Sequence, residues 1–97
     1  MEPMHLEEIQ DNLSKLDSWD ELNQDFITKT YHFPDFLEGL NFVNKISKIA
    51  EAQRHHPKII LDYGKVKLEL STHEAEGITI KDFELAKLID EVFEENK

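Results

Sequence analysis

The sequence contains no cysteine, which excludes disulfides, thiolate nucleophiles and thiolate metal sites. Glycine and proline are scarce, at three residues each, and no linker rich in Gly, Pro or Ser divides the chain. No apolar run approaches the roughly 20 residues that a membrane-spanning helix needs. The N-terminus lacks a basic region followed by an apolar core, so we expect no signal peptide. These absences predict a cytoplasmic protein that forms a single domain over residues 1–97.

Basic residues are few relative to acidic ones. Eleven Lys and Arg stand against 21 Asp and Glu, which gives a formal net charge of −10. Proteins that bind nucleic acids gain affinity by neutralising phosphates, and the basic residues here are too interspersed to form a basic patch. The same argument disfavours anionic membrane surfaces. We therefore expect neither a nucleic acid nor a membrane as a partner.

The first half of the chain is predicted to form a helix, a hairpin and a long helix. Apolar residues recur at helical spacing over residues 6–16. Residues 19–22 and 26–33 are rich in β-branched and aromatic side chains and flank a turn at Asn23-Gln24-Asp25, which predicts a β-hairpin. Pro34-Asp35 then opens the longest helix, and we expect Pro57 to end it. Gly39 inside this helix indicates close packing on a neighbouring element.

The second half is predicted to form another hairpin and a last helix. Residues 58–62 and the alternating run at 65–70 flank the turn Tyr63-Gly64. Thr79 is predicted to start the last helix after a loop at residues 72–77. Both hairpins pair antiparallel strands, which predicts the α+β class. The expected fold is a four-stranded antiparallel sheet with helices packed on one face, in the order α-β-β-α-β-β-α.

Three histidines lie beside breaks in these predicted elements. His55 and His56 come just before Pro57, which disfavours helical geometry in the residue that precedes it. His73 follows the last strand. Imidazoles at the ends of elements can converge on a pocket. With carboxylate partners they suit proton transfer, where a well-placed acid or base gains about 10²–10⁴-fold in rate.

Two carboxylates could serve these histidines. Glu51 lies four residues before His55 and would share its helix face. A carboxylate beside an imidazole favours the protonated ring. Asp82 could reach the site from the last helix. The run Thr79-Ile80-Lys81-Asp82 also fits a capping box with Thr79 as the cap, and the two roles are compatible.

Each of these residues also has an ordinary structural explanation. His55 and His56 could be surface residues at a helix C-terminus, where the dipole favours cations, and His73 could be a hydrogen-bonded loop residue. Trp19 and Tyr63 fit a core or pocket wall better than chemistry.

A metal is a further alternative. Three histidines and a carboxylate could bind zinc with an open position. The adjacent pair His55 and His56 lacks the spacing of His-Glu-x-x-His, so we expect no metal site.

Together these residues resemble the pterin-4a-carbinolamine dehydratases, also known as dimerisation cofactors of a homeodomain transcription factor. The family pattern is an acidic residue, His-His-Pro, an aromatic residue, His and Asp at fixed intervals. Every interval is kept here, and the anchors are Glu51, His55, His56, Pro57, Tyr63, His73 and Asp82. Trp19 ahead of the first hairpin also fits the family. Lys29, Tyr31 and Gly64 depart from it, where Arg, Phe and Asn are usual.

The resemblance implies loss of water from a 4a-hydroxytetrahydropterin to give the quinonoid dihydropterin. It implies that His55 and His73 form an acid–base pair and that His56 binds or orients the pterin. Glu51 would tune His55, and Asp82 would orient His73 or contact the ring. The implied supporting residues also include Pro57, Tyr63, Thr72 and Trp19.

The resemblance also bears on ligands and assembly. The pterin is the substrate, so no cofactor is expected, and the implied assembly is a homodimer or homotetramer. The competing function is non-enzymatic: a dimerisation cofactor that binds a transcription factor.

Overall fold

The computed structural model describes residues 1–95 and contains the predicted helices and strands in the predicted order. The α+β class is confirmed, with a four-stranded antiparallel sheet and three helices. The elements are α1 (Leu6–Leu13), β1 (Asp20–Leu22), β2 (Phe26–His32), α2 (Phe36–Gln53), β3 (Lys58–Asp62), β4 (Lys65–Leu70) and α3 (Ile80–Glu95), with a one-turn 3-10 helix (His73–Ala75) before α3.

The two predicted hairpins join into one sheet with the strand order β1-β2-β4-β3. Strand β2 pairs antiparallel with β4, and its Tyr31 lies opposite Val66. The tight turn of the first hairpin places Asn23 and Gln24 at positive φ, 53° and 60°. This arrangement leaves β1 and β3 as the edge strands.

One face of the sheet is apolar and the other is charged. Val66 and Leu68 of β4 are fully buried, whereas their neighbours Lys65 and Lys67 are exposed. The alternation follows from the two-residue period of a strand, which sends successive side chains to opposite faces. The helices pack on the apolar face. The buried core comprises Ile9, Trp19, Ile27, Tyr31, Phe42, Ile46, Val66, Leu68, Leu70, Ile78, Phe83, Leu85, Ala86 and Ile89.

Helix α2 is fixed at its start by a cap and along its length by a close approach to the sheet. The Asp35 side chain accepts a hydrogen bond from the Glu38 backbone N–H at 2.9 Å. A Cβ at Gly39 would lie 3.3 Å from Cδ1 of Leu61 in β3. The close packing predicted from Gly39 is therefore confirmed, and it holds α2 against the β3–β4 hairpin.

Helix α3 is fastened to the first hairpin by a carboxylate. Asp90 accepts hydrogen bonds from Trp19 Nε1 at 3.0 Å, from Lys29 Nζ at 2.9 Å and from the Tyr31 hydroxyl. The Lys29 ammonium also lies 4.8 Å from the centroid of the Tyr31 ring. Two of the positions that depart from the family pattern, Lys29 and Tyr31, thus share one partner on α3.

Burial raises the pKa of Tyr31 well above its ordinary value, and the hydrogen bond and negative charge of Asp90 raise it further, against a smaller opposing effect of Trp19. The folded protein therefore keeps this phenol protonated at pH values where the unfolded chain loses the proton. Because the unfolded state alone gains stability from that ionisation, the free energy of unfolding must fall as pH rises above about 10.

We expect Tyr31→Phe to reduce this alkaline loss of stability, since the variant has no phenol to ionise at that position. Above pH 10, the variant's free energy of unfolding should fall less steeply with pH than that of the wild type, by up to about 1.4 kcal/mol per pH unit. Urea unfolding between pH 8 and 11 measures both slopes. Tyr63→Phe is the matched control because Tyr63 is 68% exposed. Equal slopes in Tyr31→Phe and wild type would contradict the assignment.

Candidate active site

Helix α2 ends at Gln53, two residues before His-His-Pro, rather than at Pro57. Arg54 adopts the left-handed conformation, φ 53° and ψ 40°, and its N–H points back to the carbonyls of Ala50 and Glu51. The His55 N–H also bonds to the Ala50 carbonyl at 3.0 Å, which completes a Schellman-type cap. The prediction that Pro57 ends the helix is therefore wrong, because the left-handed turn at Arg54 ends it first. His55 and His56 lie in the short non-helical segment that leads to β3.

A buried carboxylate holds His55. Nε2 of His55 lies 2.5 Å from Oδ1 of Asp82, and the Asp82 side chain is 0% exposed. The His55 side chain is 10% exposed, so one part of its ring still reaches the surface. Burying an ionised carboxylate is costly unless it is paired and hydrogen-bonded. The structure therefore places a carboxylate–imidazole pair where α2 ends and α3 begins.

The other oxygen of Asp82 is satisfied by two threonines. Oδ2 accepts the Thr79 backbone N–H at 2.9 Å and the Thr72 hydroxyl at 2.9 Å. The Thr79 hydroxyl accepts the Lys81 N–H at 3.2 Å, so Thr79 caps α3 as predicted. Of the predicted capping box, the bond from the Thr79 N–H to Asp82 forms, whereas the hydroxyl bonds to Lys81 rather than to the Asp82 N–H. The hydroxyls of Thr72 and Thr79 also bond to each other at 2.7 Å, and both residues are buried. Asp82 therefore caps α3 and holds His55 at the same time.

His73 lies next to this network but is exposed. It starts the 3-10 helix, and its neighbour Thr72 is paired with Gly77 across the base of the loop. The pKa of the neighbouring Glu74 carboxyl is lowered from its ordinary value, chiefly by a hydrogen bond from its own backbone and further by the charges of Lys81, His73 and His55. His73 directly follows Thr72, whose hydroxyl bonds to the carboxylate that holds His55.

The expected pairing of Glu51 with His55 is wrong. Glu51 instead contacts His56, whose Nε2 meets Oε2 of the carboxylate. The left-handed turn at Arg54 takes His55 off the helix, so four-residue helical spacing no longer applies. The expectation that Asp82 orients His73 also fails in part, since the ring that Asp82 contacts is that of His55.

Two of the aromatic residues expected at the site lie elsewhere in the chain's own fold. Tyr63 occupies the β3–β4 turn, 68% exposed, at the far end of β3 from Pro57, which is about 16 Å for five extended residues. Trp19 is buried and bonds to Asp90. Asp90 follows Asp82 by eight residues, or about 12 Å along the helix. Pro57 is half-buried between the histidines and β3.

The pocket at His55 is small. It measures about 130 Å³ and is lined by Gln53, His55, Lys81, Glu84 and Leu85. A larger pocket of about 240 Å³ lies near the start of α2 and the end of α3, but its lining contains none of the residues of the family pattern. Small-molecule sites typically measure about 300–1,000 Å³. A bicyclic ligand at His55 must therefore extend beyond the residues that line this pocket.

Sequence reasoning missed two charged residues of this pocket, Lys81 and Glu84. Lys81 lines the pocket beside His55 and lowers the pKa of Glu74 after that residue's own backbone hydrogen bond. Lys81 could have been singled out from the sequence, because it directly precedes Asp82. Its significance depended on knowing that the start of α3 faces the end of α2.

Two features are absent from the described part of the chain, residues 1–95. Among residues 1–95, no group of three or more His, Asp or Glu side chains is arranged to hold a metal ion. Over the same residues, no helix has the length and apolar character needed to cross a membrane.

An imidazole that is 10% exposed and held by a buried carboxylate, with an exposed histidine next to the same network in sequence, is typical of sites for proton transfer. The comparisons with known proteins agree with the fold around it. A family model described as Pterin 4 alpha carbinolamine dehydratase matches residues 2–92. The chain belongs to this family of dehydratases, which are carbon–oxygen lyases.

Curated relatives match over nearly the whole chain. A protein of Sulfurisphaera tokodaii, provisionally named a pterin-4-alpha-carbinolamine dehydratase, is 45% identical over 92 residues, which cover 95% of this chain and 98% of that protein. An Aquifex aeolicus protein with the same provisional name is 43% identical over 89 residues, which cover 92% of this chain and 89% of its own.

Solved structures show the same fold. A transcriptional coactivator/pterin dehydratase from Brucella melitensis superposes with a TM-score of 0.87 at 28% identity, over 92% of this chain and 96% of its own. A pterin dehydratase-like protein identified as a RuBisCO assembly factor in the alpha-carboxysome superposes with a TM-score of 0.67 at 18% identity, over 78% of this chain and 89% of its own. The second likeness concerns the fold alone.

We expect Asp82→Ala to lower the free energy of unfolding by about 3 kcal/mol. The change removes the α3 cap and leaves the Thr79 N–H and the Thr72 hydroxyl without their acceptor, and each unsatisfied buried group costs about 1–3 kcal/mol. Urea unfolding at pH 7 measures the difference. Glu91→Ala is the control, because Glu91 is an exposed carboxylate on the same helix. A loss below about 1 kcal/mol in Asp82→Ala would contradict the role described for it.

Proposed function

We propose that this protein removes water from a 4a-hydroxytetrahydropterin by acid–base catalysis, with His55 and His73 as the acid–base pair. The observation that carries the proposal is the His55–Asp82 pair, in which a fully buried carboxylate holds a partly accessible imidazole at 2.5 Å. Membership of the dehydratase family supplies the substrate class.

The reaction needs one proton removed and one supplied. A base takes the proton from N5 of the pterin, and the electron pair of that N–H bond forms the double bond between C4a and N5. The bond between C4a and the hydroxyl oxygen breaks as an imidazolium gives that oxygen a proton, so the leaving group departs as water. Two histidines beside the Thr72–Asp82 network suit this exchange, since one imidazole can be protonated while the other is not.

The remaining side chains receive supporting roles. His56, 62% exposed and paired with Glu51, is placed to bind or orient the pterin beside the pocket. Glu51 acts on His56 rather than on His55. Asp82 holds His55 through Nε2, and the Thr72 hydroxyl in turn holds Asp82. Tyr63 and Trp19 have no contact with this network in the chain's own fold, so we assign them no part in the chemistry.

The competing role, a non-enzymatic dimerisation cofactor, has one observation in its favour. The Brucella melitensis relative is described both as a transcriptional coactivator and as a pterin dehydratase. The two functions do not exclude each other. Assembly into a homodimer or homotetramer, a cytoplasmic location and the absence of nucleic-acid partners stay predictions.

The direct test is dehydration of chemically generated 4a-hydroxytetrahydrobiopterin, followed by absorbance. We expect clear acceleration by the wild type, and a loss of about 10²–10⁴-fold for His55→Ala and for His73→Ala, because each removes an acid or a base. His32→Ala is the matched control, since His32 is an exposed histidine on β2 outside the site. Folded wild-type protein that gives no acceleration would favour the cofactor role. Full activity in both site variants would contradict the acid–base assignment.

We also propose that no metal takes part. Among residues 1–95, no three His, Asp or Glu side chains are arranged to hold a metal ion, which supports this proposal. Dialysis against a chelator should leave the dehydration rate unchanged, as measured before and after addition of zinc. A loss of activity that zinc restores would instead place a metal in the site.

A further inference from the structure

The hydrogen bonds around Asp82 run in one fixed direction. Oδ2 accepts a backbone N–H from Thr79, which can only donate. With the carboxylate ionised, the Thr72 hydroxyl must donate its single hydrogen to Oδ2. The hydrogen in the bond between the two hydroxyls therefore belongs to Thr79, which donates to Thr72. The Thr79 oxygen in turn accepts the Lys81 N–H.

This order fixes the proton on His55. Oδ1 of Asp82 lies 2.5 Å from Nε2 of His55, and an ionised carboxylate can only accept. Nε2 must therefore carry a hydrogen whether the ring is neutral or charged. Within residues 1–95, the His55 ring makes no other hydrogen bond, so Nδ1 is the nitrogen left to take or give a proton.

We propose that Thr72 is a positioning residue which, through Asp82, holds His55 in the Nε2–H tautomer and so makes Nδ1 the nitrogen that exchanges a proton with the substrate. The part that concerns substrate rests on the function proposed above. In the exchange, a bond between Nδ1 and hydrogen forms as the substrate's bond to that hydrogen breaks, or the reverse. The Nε2–H bond to Asp82 stays intact throughout.

Thr72 matters because it is fully buried and supplies one of the two donors to Oδ2. Without its hydroxyl, Oδ2 keeps the Thr79 N–H alone, and the Thr79 hydroxyl loses its acceptor. The carboxylate is then free to rotate toward the Thr79 hydroxyl. Its hold on Nε2 weakens, and the imidazole can adopt either tautomer. Groups of this kind behind an imidazole commonly change activity by about 10–100-fold.

The test combines long-range ¹H–¹⁵N spectra of the ¹⁵N-labelled protein with dehydration kinetics. The wild type should show His55 as the Nε2–H tautomer above the pH at which the ring is charged. Thr72→Val, which keeps the β-branched shape, should give a mixture of tautomers and lower kcat about 10-fold or more with KM changed less than about twofold. Thr72→Ser should restore both, since it restores the hydroxyl. Thr30→Val, at an exposed threonine of β2, is the control.

The outcomes separate this inference from the proposed function. An Nδ1–H tautomer in the wild type, or an unchanged tautomer and kcat in Thr72→Val, would overturn the inference. A mixture of tautomers in Thr72→Val, beside a wild type that holds the Nε2–H tautomer but does not accelerate dehydration, would support the positioning role and overturn the proposed reaction. If Thr72→Val does not fold, Thr72→Ala takes its place, and an unchanged tautomer in that variant would overturn the inference.

Discussion

The structure depends on how one fully buried carboxylate is satisfied. Asp82 has no contact with solvent, so its charge must be met by protein donors, and these come from three different segments: the start of α3, the loop after β4 and the segment after α2. A buried charge left without partners costs several kcal/mol, so these segments gain stability only when they are assembled together. The same requirement places an imidazole at the surface in a defined orientation. Fold and chemistry are therefore linked at this residue.

A second carboxylate on α3, that of Asp90, has a separate structural role. Asp90 takes hydrogen bonds from Trp19, Lys29 and Tyr31 and so fastens the helix to the first hairpin. None of these partners is a histidine, and among residues 1–95 no hydrogen bond joins Asp90 to the His-His-Pro segment. One end of α3 thus serves the candidate site and the middle serves the core. This division explains why Trp19 can belong to the family pattern and yet bond to Asp90, about 12 Å along α3 from the carboxylate that holds His55.

Much of the fold follows from local sequence, because apolar period, turn residues and caps are local signals. The cap at Thr79 and the packing signal at Gly39 were both readable in this way. The pairing of carboxylates with histidines was not, because it depends on Arg54. A left-handed Arg gives no local signal comparable to Gly or Asn, so the turn that moves His55 away from Glu51 could not be read from spacing. The convergence of β4, α2 and α3 on one point is likewise set by the sheet order, which no local pattern specifies.

The fold does not determine the function on its own. A pterin dehydratase-like protein of similar fold, at 18% identity, is identified as a RuBisCO assembly factor. What separates a dehydratase from a binding protein on this scaffold must therefore lie in side chains. Asp82 stabilises the start of α3 whether or not the protein is a catalyst, so its burial alone does not separate the two functions. The feature that bears on catalysis is the imidazole that it holds, because His55 is paired through Nε2 and is still partly accessible.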